Sequence, residues 1–222
     1  MSASLADVIE GMPTADIAAL IAQERAREQA DREQIAAMIE DGDAYSAARF
    51  AVTVGLADEV PPLVFAQWEV GHLAGAALES AIYASWVVNK SPLRSIGERK
   101  WLRMFKAVGF FSVSATVKVD GSEVSPAFVH VTERPTEQIT VWRGAALSTD
   151  GRGMSWSVHR EVAETFAEAE AGFGIDAGVW RATVPGSAVL AMFGDERETE
   201  VVVNPNMLRG RILREPKCLR RR

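Results

Sequence analysis

The chain has 222 residues, of which 48% are hydrophobic and 24% charged, and its formal net charge is −6. This composition predicts a folded core, and with a mean hydropathy of +0.01 and no long uncharged apolar run, no membrane span is expected. A single cysteine, Cys218, excludes an intrachain disulfide and a multi-cysteine zinc site, and the scattered His72, His130 and His159 offer no paired metal-ligand spacing.

The first half reads as helix. Pro13-Thr14-Ala15-Asp16 supplies start chemistry ahead of Ile17, Leu20 and Ile21, and the charged stretch from Glu24 to Gln34 returns to Ile35, Met38 and Ile39 before Asp41-Gly42-Asp43. A second helix is expected from Ala44 to near Gly55. Pro61-Pro62 reads as a break. The Ala-rich stretch 63–89 predicts one or two buried helices, and Glu98 to Val108 an amphipathic helix with Trp101, Met104 and Phe105 on its inner face.

The pattern then changes to short strands. Ser112 to Val119 alternates and is followed by Asp120-Gly121, a turn signal; Ala127 to Val131 and Gln138 to Trp142 are further candidates. A helix over Val158 to Ala169 is expected to turn Val162, Thr165 and Phe166 inward, and Gly172-Phe173-Gly174 reads as a loop. Strands are expected at Gly178 to Val184, ended by Pro185-Gly186, at Val189 to Phe193, and at Glu198 to Val203, stopped by Asn204-Pro205. Strands interrupted by a single short helix indicate an α+β fold. The expected organisation is a helical extension over 1–57, a mixed domain over 58–208, and a tail over 209–222. That tail carries seven basic residues against Glu215. It reads as a solvated, partly unstructured end able to bind an acidic partner or RNA, although the negative net charge argues against a general nucleic-acid binder. The N-terminus has no basic segment followed by an apolar one, so no signal peptide is expected and a cytoplasmic location is.

Three polar elements stand at the margins of these strands: Trp142-Arg143-Gly144, Ser155-Trp156-Ser157, and Glu198-Thr199-Glu200. Taken singly, each has a plain reading. Arg143 suits the exposed end of a strand, Ser157 suits the cap of the following helix, and a Glu-x-Glu suits a solvated strand edge. Together they supply a rigid cationic fork, two hydroxyls on one side of an extended segment, and two carboxylates on one side of a strand.

In their order and setting, with Ala163 and Phe166 on the intervening helix, these motifs resemble the mono-ADP-ribosyltransferase fold of the arginine–serine–glutamate class, which includes many bacterial toxins and phage-encoded enzymes. The resemblance covers roughly residues 110–205, and helices from about residue 58 complete the domain on this reading. It implies a split pair of small sheets with NAD in the cleft between them. Arg143 then matches the arginine that contacts the dinucleotide, and Gly144 lets backbone approach the ligand. Ser155 matches the serine that orients the catalytic glutamate and lines the nicotinamide site, and Ser157 the last serine of that motif. Trp156 stands where the family has threonine, a departure in the hydrogen bonding.

Glu200 matches the catalytic glutamate, and Glu198 the residue that binds an acceptor arginine. An aromatic face suits a cationic ring, so Phe173 is a candidate cover for nicotinamide. The implied activity is transfer of ADP-ribose from NAD, a co-substrate, to a protein side chain, arginine on the strength of Glu198, with release of nicotinamide and no metal. The alternatives are an NAD glycohydrolase and a catalytically inactive NAD- or partner-binding module.

Overall fold

A computed structural model describes residues 13–89, 92–113, 118–119, 122–123, 133–194 and 199–216. Contacts divide the chain into two compact units, Met1–Ser95 and Ile96–Arg222. The boundary expected at 57/58 falls inside the first of them.

The first unit is helical. Helix α1 (Thr14–Glu40) is followed by α2 (Ala44–Thr53), α3 (Val60–Glu69) and α4 (Gly75–Val88). Asp43 caps α2 by accepting from the Ser46 N–H at 3.1 Å. Pro61 and Pro62 do not break the chain as expected. They occupy the first turn of α3, where a missing N–H costs nothing and a fixed φ favours the helix. Ile35 and Ile39 of α1, the alanines Ala44, Ala47, Ala48 and Ala51 of α2, Val64 of α3 and Ile82 of α4 are all fully buried. The small side chains of α2 let these helices approach closely. Most of α1 ahead of Ile35 is exposed, as its charged sequence requires. Among the described residues no helix is long and apolar enough to cross a membrane.

The short helix α5 (Pro92–Ile96) sits at the division between the units. The second unit is α+β. It holds α6 (Glu98–Val108), α7 (Arg160–Gly172) and the strands β1 (Phe111–Val113), β2 (Lys118–Val119), β3 (Ser122–Glu123), β4 (Gln138–Ala146), β5 (Ser155–Ser157), β6 (Ala177–Pro185), β7 (Val189–Phe193), β8 (Glu200–Val203) and β9 (Ile212–Arg214). The strand expected at 127–131 lies outside the described residues. β2 and β3 pair with each other, and the remaining strands form one sheet in the order β1-β7-β8-β5-β4-β6-β9. β1 runs parallel to β7, and every other described pairing is antiparallel.

The sheet is covered by apolar side chains that alternate between its faces. One buried cluster gathers Val141, Trp156, Trp180, Val184, Val201 and Val203 with Leu208. Elsewhere, rings step from helix to sheet: Trp101 to Phe105 at 6.0 Å, Phe105 stacked on Phe111 at 6.1 Å, and Phe111 to Phe193 at 5.6 Å. The inner face expected for α6 is the observed one, with Trp101, Met104 and Phe105 buried.

Two expectations are corrected. Phe166 of α7 does not face inward; it is 58% exposed, and the buried residue is Ala163. The reason lies in Gly144 of β4. A Cβ placed there would fall 2.0 Å from the Ala163 carbonyl oxygen and 2.6 Å from the Ala167 nitrogen. Glycine lets the backbone of α7 lie directly on the strand, so small residues fill the contact and large ones are pushed aside. The segment from Arg209 is not simply a tail. Ile212–Arg214 extends the sheet beside β6, and Glu215 then bonds Arg181 at 3.0 Å and Arg160 at 3.8 Å.

Phe111 joins the α6 rings to the sheet, so Phe111→Ala is expected to lower stability by about 3–5 kcal/mol. Urea denaturation followed by tryptophan fluorescence measures this.

Candidate active site

β4 is bonded very unequally to its neighbours. Nine residue pairs join it to β6, from Gln138 opposite Pro185 to Ala146 opposite Ala177. One pair, Trp142 opposite Ser157, joins it to β5. Continuing that antiparallel register would set Gly144 opposite Ser155, and there the strands have parted. The carbonyl of Ser155 accepts instead from Nη1 of Arg143. The guanidinium thus stands at the seam between β4 and β5, and the seven strands remain one sheet rather than the split pair expected.

The connection between β4 and β5 is shaped to this purpose. Asp150, Gly151 and Gly153 all have positive φ, at 50°, 69° and 151°. A Cβ on Gly153 would lie 2.8 Å from Cζ of Arg143, and one on Gly151 would lie 2.6 Å from the ring of Trp180. Glycine is required at both places, by conformation and by space. The carbonyl of Gly153 is held by the indole N–H of Trp156 at 2.9 Å. This accounts for the tryptophan in the Ser-Trp-Ser element: its ring lies in the core, 2% exposed, and its one donor fixes the loop under Arg143.

Arg143 is half-buried as a residue, but its Nε is fully buried and has no protein acceptor. Burial pulls its guanidinium below the ordinary arginine range, while the carboxylates of Glu200 and Glu170 push it back up. Two acidic residues therefore act on this cation. Glu200 opens β8 and lies directly opposite Ser157, with Phe193 of β7 on its other side. Ser155, opposite Val202, shares that face two residues along. The Ser157 hydroxyl is buried and accepts from the His159 N–H at 3.0 Å, which shapes the entry to α7. Ser157 therefore does not cap α7 as expected, since the cap position is His159 and carries no side-chain bond; it adjoins the glutamate across the ladder.

The structure gathers some of the sequence-derived residues and separates others. Arg143, Ser155, Ser157 and Glu200 lie on the adjacent strands β4, β5 and β8, where Arg143 bonds the Ser155 carbonyl and feels the Glu200 carboxylate. Trp156 supports them from the core. Gly144 has its open side filled by α7. Phe173 stands past the end of α7 and is 85% exposed. Glu198 lies outside the described residues. Among the described residues no group of three or more histidine, cysteine or acidic side chains is placed to hold a metal. Gly151, Gly153 and Glu170 escaped the sequence reading. The Asp150-Gly151-Arg152-Gly153 stretch announces a turn, but nothing in it announces the residue it must lie against.

No protein-family model, curated protein or solved structure matches this chain.

Gly153→Ala is expected to cost about 1–3 kcal/mol through strain and overlap with the guanidinium. Denaturant unfolding measures the loss. Arg143→Ala in the same background should recover part of it, because the overlapped group is then gone.

Proposed function

We propose that this chain is a mono-ADP-ribosyltransferase that breaks the nicotinamide–ribose bond of NAD and transfers ADP-ribose to an arginine side chain. The observation that supports the reading is that Arg143 bonds the Ser155 carbonyl and feels the charge of Glu200 where β4 and β5 share a single residue pair.

On this reading, Arg143 uses one arm to bond Ser155, and its partly buried charge calls for an anionic partner. A phosphate oxygen of the dinucleotide meets that need, since a charged, planar donor binds phosphate strongly. A cation with its own pKa lowered by burial gains most from an anionic ligand. Glu200 accepts from a ribose hydroxyl as the carbon–nitrogen bond to nicotinamide lengthens. The ribosyl carbon becomes electron-poor, and a carboxylate stabilises that state more than the ground state. Nicotinamide leaves with the bonding electrons and needs no proton, because its ring nitrogen was already cationic. The acceptor guanidine nitrogen then forms the new bond to the ribosyl carbon and gives up a proton to a base. Glu198, by the resemblance, is that base, and the choice of arginine as acceptor rests on it.

The test is Glu200→Gln. The amide is nearly the same size but cannot balance a developing cation. Nicotinamide release is expected to fall by roughly 100-fold or more, with NAD affinity by calorimetry within about threefold of the parent. A variant that releases nicotinamide at the parental rate removes Glu200 from the proposal.

A further inference from the structure

Helix α7 carries an apolar stripe, half-buried at Val162 and exposed from Phe166 onward. Val162, Phe166, Ala169 and Phe173 succeed one another at helical spacing. Phe166 is 58% exposed, Phe173 85%, and Ile175 just beyond is 43% exposed. Large rings at such exposure in one stripe are unusual for a surface that meets only water. The stripe is set in acid. The helix contains Glu161, Glu164, Glu168 and Glu170 against a single base, Arg160, and Arg160 is already engaged by Glu164 at 3.1 Å and Glu215 at 3.8 Å. The exposed Asp176 comes shortly after.

The surface also borders the candidate active site. A Cβ on Gly144 would lie 2.9 Å from Cβ of Phe166, so the root of the stripe adjoins the residue next to Arg143. Glu170, near the end of α7, acts electrostatically on Arg143 itself.

We infer that this face of α7 is the docking surface for the acceptor polypeptide, and that it takes a segment combining basic and apolar side chains. The inference rests on the proposed transferase activity and adds the chemistry of its substrate. Phe166 and Phe173 are seven residues apart, or about 10 Å along the helix, which suits an extended peptide better than one purine or nicotinamide ring. The carboxylates around the stripe repel the phosphates of a dinucleotide and attract a chain rich in arginine. A peptide seated on Phe166 therefore brings its basic side chains to the opening beside Arg143.

The test is binding of a labelled peptide of alternating arginine and leucine to the full chain, read by fluorescence anisotropy without NAD. Phe166→Ser and Glu168→Lys change exposed positions and are expected to leave the melting temperature unchanged. Each should weaken the peptide by roughly tenfold, with NAD affinity unaltered, and a glutamate–leucine peptide should not bind the parent. The inference is overturned if both variants bind the arginine–leucine peptide as the parent does, or if Phe166→Ser weakens NAD instead. Because peptide binding is read without turnover, absent nicotinamide release would defeat the transferase proposal and leave this result standing on its own.

Discussion

The second unit depends on one substitution of partners. Where β4 and β5 would pair beyond Trp142 and Ser157, a guanidinium takes the place of a backbone N–H at the Ser155 carbonyl. A carbonyl left bare at a buried strand end is costly, so Arg143 makes the parting of the strands tolerable. It does so by bringing a charge into partial burial, and the carboxylates of Glu200 and Glu170 offset that charge. The remaining buried donor, Nε, has no acceptor in the protein.

Much around this contact serves to place it. The long β4–β6 ladder holds Arg143 rigidly on one side. On the other, β8 pairs with β5 and sets Glu200 opposite Ser157. The connecting loop lies against both Arg143 and Trp180 only because Gly151 and Gly153 lack side chains. Trp156 then ties that loop to the core. The proposed chemistry needs no more from the fold than this: a fixed cation for phosphate, a fixed carboxylate for a ribosyl carbon, and backbone that cannot drift between them.

The elements easiest to read in the sequence are those whose periodicity and burial agree. The helix Glu98–Val108 puts Trp101, Met104 and Phe105 inward as its spacing requires, and the strand around Trp180 ends at proline as expected, whereas β4 runs on past its expected end at Trp142, through Arg143 and Gly144, to Ala146. Pro61-Pro62 misleads because proline both stops helices and starts them, and the residues on its C-terminal side make the choice. Phe166 misleads because hydrophobic spacing ignores the partner surface; Gly144 on another element decides which side of α7 packs. β9 is hidden by its basic surroundings. Its pairing depends on the free edge of β6, and Glu215 is held there by Arg160 and Arg181, which lie far away in sequence. For the same reason the motif residues can be named from the sequence, but the contact between Arg143 and Ser155 cannot. Motifs record residue types, while cross-strand register is settled by the whole sheet.

The most direct measurement is a crystal structure of the chain with a non-cleavable NAD analogue. The account predicts a phosphate oxygen within hydrogen-bond distance of the Arg143 guanidinium, and the nicotinamide ribose beside Glu200 with Ser155 and Ser157 nearby. An analogue bound elsewhere on the molecule, with Arg143 still touching only Ser155, would contradict it.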